Sequence, residues 1–512
     1  MADFSIMDID ETSKKTVAVS PYYIDFNIDR ILKEIVAYWK EDVSGLYKYF
    51  PSDANGQEYR KAVYKDVCKV GVFDILIEFR EGMKERKKAL ENKKLTGSGV
   101  QMAVMTLNEI RCYVASIEML SDRLSGISLE SEGMNSFLKL ISDYVGGDAF
   151  KQLAHEANAL REALDAIPVK LTYQDHFLNV AFEEVEGKYD DFLKNFHNPD
   201  KDNQKAVEFF KRKNPIGESV EITLFEEEVL DIICDKYPQV FAELQKFVKE
   251  HTDYAEEYIL QFAEEIAFYL SFYTFEQVMK NRGMYFSMAV KSENNRLNAE
   301  DLYDLALACQ LSRDGIMPIA NDTRMEENEN FFVLTGPNQG GKTTFARSLG
   351  QLVFFSKIGL PVPAKHAEIP FFNRILTHFS VEESIETGKG KLAEELTRLA
   401  PMMEDRIEKN AFVVINELFT TAANYDACIM GKRVLDHFIE RNCHGIYVTH
   451  LQELSKEDKG IVSLRAMMNE EHKQNFKIVR SNDPALESSI LLVEKHRLHY
   501  EQVINRLKGE EA

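Results

Sequence analysis

The first half of the chain is patterned for helices. From residue 21 to about residue 165, apolar side chains recur every three or four positions. Within residues 102–124, seven of them fall on one stripe: Val104, Leu107, Ile110, Val114, Ile117, Leu120 and Leu124. This period is typical of an amphipathic helix that buries one side. Residues 149–164 repeat it, so the pattern predicts a mainly α-helical region.

The period changes in residues 169–187, where it predicts two strands with Asp175 and His176 near the turn between them. A helical period resumes from about residue 223 to residue 282, with Pro238 as a kink or break. The simplest architecture for this part is a helical arm that leaves and returns, with a β-hairpin partway.

After about residue 284, short apolar strands alternate with helices, as in an α/β domain. The candidate strands are residues 331–335, 412–416, 445–449 and 476–479. The pattern therefore predicts a multidomain fold. It divides the chain into an N-terminal tail (1–20), a helical region with a β-hairpin (21–283) and an α/β domain (284–512).

Composition narrows the class of protein. A chain of 512 residues predicts two to four domains. It contains no run of 18 apolar residues, so we expect no membrane span and no membrane partner. The N-terminus lacks the basic start and apolar core of a secretory signal. Six cysteines are scattered without CxxC spacing, which favours neutral thiols in a reducing cytoplasm.

The net charge is −22, so any contact with nucleic acid must come from a local basic surface. Two stretches are rich in Lys and Arg, residues 79–95 and residues 205–213. Interleaved acids favour the simpler alternative for each, a solvated helix face.

A glycine-rich loop carries the strongest chemical signal. Gly336, Gly341, Lys342 and Thr343 have the spacing GxxxxGK[ST], after a predicted strand and before a predicted helix. Backbone N–H groups of such a loop surround phosphate oxygens, and the helix adds its positive dipole end. Lys342 would reach the β and γ phosphates and the Thr343 hydroxyl would bind Mg²⁺. A purely structural glycine turn is a poor alternative in this context.

A second polar pair follows the apolar strand in AFVVINELF, residues 411–419. This strand would deliver Asn416 and Glu417 to the carboxyl end of a parallel sheet. Glu417 would polarise the attacking water or accept its proton, and the alternative is a surface acid at a strand end. His450 ends the strand GIYVTH and could hydrogen-bond the γ phosphate. A lone histidine there is more often structural, but its place after Glu417 favours function.

These residues resemble the ABC-type ATPase domain of the MutS family of mismatch-repair proteins. The stretches that carry the resemblance are TGPNQGGKTT, GLPVPAKHAEIPFFNRILTHF, NELFTTAANYDA and VTHLQEL. It covers residues 320–512 well, and residues 21–283 fit the family's core and lever helices more loosely. The resemblance implies a mainly α-helical core and lever arm followed by an α/β P-loop (ABC-type) ATPase domain. It also implies C-terminal dimerisation helices, at residues 485–498 and 500–508.

The nucleotide contacts of the family carry over to matching positions. Its phosphate loop would comprise Gly336, Pro337, Asn338, Gln339, Gly340, Gly341, Lys342, Thr343 and Thr344. IMPIANDT, residues 316–323, is similar to the family's adenine-contacting segment. Ile319 and Asn321 keep their places there, but Pro318 stands where an aromatic side chain would stack. Selectivity for adenine over guanine therefore stays open.

Two further departures affect the expected chemistry. Gly390 and Lys391 replace the Ser-Thr pair of the family's signature stretch. Gly388, Gly390 and the following helix could still offer N–H groups to the partner subunit's nucleotide, and Lys391 could supply charge; the alternative is a glycine-rich surface loop. Asn416 replaces an Asp near Mg²⁺, and losing such a group typically costs about 10–100-fold in metal affinity or activity. We therefore expect slow hydrolysis.

The likeness is greatest to short MutS-like proteins without the N-terminal mismatch-recognition domain. Such a domain needs on the order of a hundred residues, and about 20 precede the helical region here. The family's Phe-x-Glu reading motif has look-alikes at residues 79–81 and 182–184, which we interpret as coincidence. The appended endonuclease module of some relatives is not expected either.

These features favour a homodimeric, ATP-dependent clamp on branched or structured DNA, acting in repair or recombination. The alternative is a non-enzymatic, nucleotide-gated dimeric scaffold that holds a protein partner, which the negative charge favours. A transporter ATPase subunit is disfavoured because a long helical arm precedes the glycine-rich loop.

Overall fold

The computed structural model describes the greater part of the chain. The described residues are 4–8, 20–93, 99–167, 170–174, 177–181, 231–379, 390–404, 409–456, 459–468, 474–481, 499–500 and 504. The predicted helices at 485–498 and 500–508 lie almost entirely outside them, and so does the basic stretch 205–213.

The α-helices of the described residues are α1 Tyr22–Asp25, α2 Ile28–Trp39, α3 Ala54–Val67, α4 Val72–Lys93, α5 Gly99–Ser125, α6 Glu132–Gly146, α7 Asp148–Asp165, α8 Pro238–Glu250, α9 Glu257–Asn281, α10 Leu305–Leu311, α11 Lys342–Lys357, α12 Lys391–Leu399 and α13 Asn424–Glu440. The predicted helical region is confirmed. The predicted break at Pro238 is confirmed as well, because this proline occupies the first turn of α8.

The strands are β1 Lys170–Gln174, β2 Phe177–Ala181, β3 Val290–Lys291, β4 Leu297–Leu302, β5 Asn321–Met325, β6 Phe331–Thr335, β7 His366–Ile369, β8 Arg374–Phe379, β9 Ala411–Asn416, β10 His444–Val448, β11 Ile461–Met468 and β12 Gln474–Arg480. All four predicted strands of the α/β part are among them, with ends shifted by two residues or fewer.

The described residues form two compact units. One comprises Met1–Ile6 and Lys65–Ile266, and the other comprises Met7–Tyr64 and Ala267–Ala512. The units differ from the predicted domains, whose boundaries follow residues 20 and 283, because residues 7–64 belong to the same unit as residues 267–512. The predicted boundaries stay a prediction.

The first unit is built from helices around an aromatic core. The rings of Phe137 and Phe262 stack with centroids 3.5 Å apart. Beside them, Glu109 accepts a hydrogen bond from the Tyr254 hydroxyl, and Arg86 lies 3.5 Å from the same carboxylate. Glu109 is almost fully buried, so its hydrogen bond and ion pair offset the desolvation cost of its charge.

The predicted β-hairpin is confirmed in this unit. Strands β1 and β2 pair antiparallel, with Lys170 opposite Ala181 and Gln174 opposite Phe177. Asp175 and His176, expected near the turn, lie outside the described residues.

A basic helix of the first unit, α4, carries much of the Lys/Arg-rich stretch 79–95. Among its cations, Lys84 is paired with Glu81 at 2.5 Å, and Lys87 is paired with Glu264 at 3.4 Å. Phe79, of the first Phe-x-Glu look-alike, is fully buried in the same helix. These pairs reduce the positive field that α4 offers to a polyanion.

The second unit contains a six-stranded sheet in the order β12-β11-β6-β10-β9-β8. Strands β8, β9, β10, β6 and β11 pair parallel, and β12 is antiparallel to β11. Every residue of β6, β9 and β10 is buried, which agrees with their apolar sequences. The carboxyl ends of β6, β9 and β10 meet at one edge of the sheet.

A second sheet in this unit has the order β3-β7-β4-β5 and was not predicted. Its strands are short or interrupted by a register shift, so they lack the long apolar alternation that reveals a strand in sequence.

In the part of the chain that is described, no helix is long and apolar enough to cross a membrane.

Candidate active site

The glycine-rich loop, residues 336–341, connects β6 to α11. Gly336 and Gly341 have φ values of 137° and 87°, which side chains rarely adopt. A Cβ on Gly336 would lie 2.9 Å from the Cβ of Ala466, and one on Gly341 would lie 3.3 Å from the ring of Phe476. Backbone conformation and close packing therefore both require glycine at these positions.

Lys342 is the first residue of α11, and its side chain folds back over the loop. Its Nζ donates hydrogen bonds to the carbonyl oxygens of Gly336, at 2.9 Å, and Pro337, at 3.0 Å. Burial lowers the pKa of Lys342, although Glu417 opposes this effect. The ammonium group thus lies at the start of a helix, beside N–H groups that lack partners within the helix.

Two side-chain oxygens lie together at the end of β9. The hydroxyl of Thr343 donates to Oδ1 of Asn416 across 3.2 Å. Mg²⁺ commonly takes only one or two protein oxygens and completes its octahedron with water and phosphate oxygens. A hydroxyl and an amide oxygen at this distance fit such a role, and both are neutral.

Glu417 and His450 form a pair. Oε1 of Glu417 lies 3.0 Å from Nε2 of His450, and the Glu417 backbone N–H donates to the Val448 carbonyl at 2.9 Å. The hydrogen bond from His450 lowers the pKa of Glu417; burial acts in the opposite direction, and Lys342 and Lys391 add to the lowering. Glu417 is therefore held as a carboxylate that can accept a proton.

A cavity of about 780 Å³ extends from the loop. Lys342, Thr343 and Glu417 line its polar part, together with Asn338, Gln339, Gly341 and Thr344 of the predicted phosphate loop. Exposed apolar side chains of Ile316, Met317, Ile319 and Phe476 line the remainder. A cavity of this size and polarity suits a ligand with an anionic end and a flat, apolar end.

Asn321 and Pro318, which the sequence analysis placed near the nucleobase, differ in their position relative to the cavity. The Asn321 amide donates to the Phe476 carbonyl at 3.2 Å and accepts from the Ile478 N–H at 2.8 Å. It therefore joins β5 to β12, while also lining the cavity. Pro318 is buried and does not line it.

Sequence reasoning missed Phe476, which it assigned only to a strand. Its φ is 57°, and 44% of its surface is exposed. The pairing of β11 with β12 shifts register between Ala466 and Met468, close to where Phe476 turns out of the sheet. A positive φ at a non-glycine residue and a local register shift leave no signal in a single sequence.

The predicted signature residues lie at the start of α12. Gly390 is exposed and precedes the helix, and Lys391 is its first residue. Gly388 lies outside the described residues. Lys391 is close enough to contribute to the lowered pKa of Glu417 within the same chain.

The chain is similar to known mismatch-repair proteins in this region. Residues 332–506 match the family model of MutS domain V. A stretch of 139 residues is 30% identical to the DNA mismatch repair protein MutS of Thermosipho melanesiensis, covering 27% of this chain and 17% of that protein. A stretch of 274 residues is 26% identical to the DNA mismatch repair protein MutS of Pelotomaculum thermopropionicum, covering 47% of this chain and 32% of that protein. The matched segments thus span less than a third of these relatives.

Proposed function

Because the chain belongs to the MutS family, we propose that it is an ATP-dependent DNA-binding protein of MutS type. It would be a homodimeric ATPase clamp that acts on branched or structured DNA in repair or recombination. Its ATPase domain would comprise residues 284–512, after a helical core and lever region at 21–283. The observation that carries this proposal is the cavity beside the glycine-rich loop, which Lys342, Thr343 and Glu417 line together.

The loop would bind the ATP phosphates, and Lys342 would exchange its two carbonyl partners, Gly336 and Pro337, for phosphate oxygens. Mg²⁺ near Thr343 and Asn416 would neutralise charge on the phosphates. Glu417 would accept the proton of the attacking water, and His450 would hold its carboxylate in place. Ile319 and Phe476, which line the cavity, would pack against the nucleobase of ATP.

Hydrolysis would be slow because Asn416 supplies a carbonyl oxygen without a negative charge. Its contact with Thr343 keeps the geometry of the pair, so metal binding would be weakened and not abolished. Removing a carboxylate beside Glu417 also favours the ionised form of Glu417, which is the form a general base needs.

Dimerisation through the ATPase domain is supported by apolar exposure on α12 and α13. Leu396, Tyr425 and Ile429 expose 43%, 77% and 40% of their surfaces. Large exposed apolar side chains are typical of an interaction surface where they form a continuous patch. In the arrangement that the family resemblance implies, Gly390 and Lys391 would contact the nucleotide of the partner subunit.

The DNA-binding role and the scaffold alternative make opposite predictions about how binding to DNA depends on salt concentration. Relatives are named as mismatch-repair proteins, whereas a net charge of −22 and the paired cations of α4 favour a protein partner. Binding to branched duplex should weaken steeply as salt rises if phosphates are neutralised by Lys and Arg. Absence of binding even at low salt would leave the nucleotide-gated scaffold.

The six cysteines are free thiols, and burial raises the pKa of Cys309 to about 12. Free cysteines are typical of a reducing compartment, which supports a cytoplasmic location.

The enzymatic proposal is tested by steady-state ATP hydrolysis. Lys342→Ala should abolish turnover because the phosphate loop loses its only charged side chain. Lys365→Ala, a lysine that is mostly exposed and paired with Asp301, is the control. Equal turnover in wild type and Lys342→Ala would refute the assignment of this site.

A further inference from the structure

A buried carboxylate from another helix holds the turn that follows Glu417. Glu395 lies on α12 with only 4% of its surface exposed. Its Oε2 accepts a hydrogen bond from the backbone N–H of Phe419 at 3.0 Å. Since the Glu417 N–H donates to Val448, the turn is fixed at two points, by β10 at Glu417 and by α12 at Phe419.

The turn needs this support because its backbone conformation is unusual. Glu417 and Phe419 have φ values of 56° and 63°, in the left-handed region that side chains seldom adopt. Such conformations persist only where surrounding contacts impose them. Leu418 and Phe419 supply part of that constraint by packing in a core cluster that also contains Leu399 of α12.

A buried carboxyl group is energetically unfavourable at this contact. Burial raises the pKa of Glu395, and the Phe419 N–H, Lys391 and Arg398 offset this only in part. Oε1 of Glu395 is buried and has no hydrogen-bond partner among the described residues. Packing alone would favour an apolar side chain here, so the carboxylate indicates a role beyond filling space.

We propose that Glu395 is a positioning residue for Glu417, which it holds through the N–H of Phe419. It ties the start of α12, where Gly390 and Lys391 lie, to the turn that presents the catalytic carboxylate. Whatever contacts residues 390–391 is thereby coupled to the orientation of Glu417 within the same chain. This inference rests on the proposed ATPase function.

The experiment compares three variants with wild type by ATP hydrolysis, nucleotide binding and hydrogen exchange of the Phe419 amide. Glu395→Ala removes the acceptor, and Glu395→Gln keeps an oxygen that can accept the same hydrogen bond. Glu394→Ala is the matched control, since it removes the neighbouring carboxylate of α12. Hydrogen exchange is measured without nucleotide, so it reports the hydrogen bond independently of activity.

Glu395→Ala should lower kcat by about 10–100-fold, as loss of a group that orients a reacting residue commonly does. Its affinity for ATP should be unchanged, because Glu395 is not among the residues that line the cavity beside the glycine-rich loop. The Phe419 amide should exchange faster, Glu395→Gln should restore both kcat and protection, and Glu394→Ala should behave as wild type.

The outcomes separate this inference from the proposed function. Faster exchange of the Phe419 amide in Glu395→Ala with wild-type kcat would overturn the positioning role, and so would unchanged exchange. Loss of kcat in Glu395→Gln equal to that in Glu395→Ala would also contradict it. A wild-type protein that binds ATP without hydrolysing it would refute the ATPase proposal itself.

Discussion

Replacing Asn416 with Asp adds one negative charge next to the Thr343 hydroxyl, with which the Asn416 amide oxygen shares a 3.2 Å hydrogen bond. The two side chains have the same shape, and Asn416 is buried at the end of β9, so the geometry should be preserved. The change therefore isolates the effect of charge on the proposed Mg²⁺ site.

The expected gain follows from the cost of losing such a group. A factor of about 10–100 in metal affinity or activity corresponds to about 1.4–2.8 kcal/mol. Asn416→Asp should lower the Mg²⁺ concentration for half-maximal ATP turnover by about that factor. Because a second carboxylate beside Glu417 raises its pKa, the acid limb of the pH–rate profile should also move to higher pH.

The assay is ATP turnover against Mg²⁺ concentration, with Asn416→Ala as the control that removes the oxygen ligand. We expect the half-saturating Mg²⁺ concentration to rise in Asn416→Ala and to fall in Asn416→Asp. Identical Mg²⁺ dependence in all three proteins would show that Asn416 lies outside the metal's reach, and the reasoning would be wrong.

Three other predictions test separate parts of the site and fold. His450→Ala removes the hydrogen bond that lowers the pKa of Glu417, so the acid limb of the pH–rate profile should shift upward; an unmoved limb would contradict the pairing. Phe476→Ala should weaken ATP binding about 5–150-fold, from about 1–3 kcal/mol of base stacking, without changing tripolyphosphate binding measured by calorimetry. Burial lowers the pKa of His444 to about 4, so the unfolded chain binds the proton first as pH falls from about 6.5 to 4. The free energy of unfolding should then decrease by about 1.4 kcal/mol per pH unit in that window, and His444→Phe should lose this slope in urea titrations.

The sequence predicted the structural elements that depend on hydrophobic periodicity and on local motifs. The stripe from Val104 to Leu124 predicts α5, and the apolar run before Asn416 predicts β9. The spacing of Gly336, Gly341 and Lys342 predicts a loop between strand and helix, which the fold provides. Each of these features is decided by neighbouring residues, so a single sequence displays it.

The sequence did not predict contacts between segments that are far apart along the chain. Phe26 packs so closely on Gly350 of α11 that a Cβ there would lie 2.5 Å from its ring. Gln351 of the same helix donates to the Phe26 carbonyl at 2.9 Å. Nothing in the sequence around residue 26 indicates that it packs on the helix that follows the glycine-rich loop, because this contact joins residues more than 300 positions apart.

The same limitation applies to parts of the candidate site. Phe476 faces the cavity only because its backbone departs from a regular strand. Glu395 looks like one acid among several in a polar helix, and only its burial against the Phe419 N–H distinguishes it. Asn321, expected near a base, makes two hydrogen bonds to β12 whose partners could not be anticipated.

The most direct test of the central claim is a single-turnover experiment with Glu417→Gln and radiolabelled ATP. The proposed roles predict that this variant binds ATP as tightly as wild type, since Lys342 and the loop are intact, yet forms ADP far more slowly. ADP formation at the wild-type rate would contradict the assignment of Glu417 as the general base.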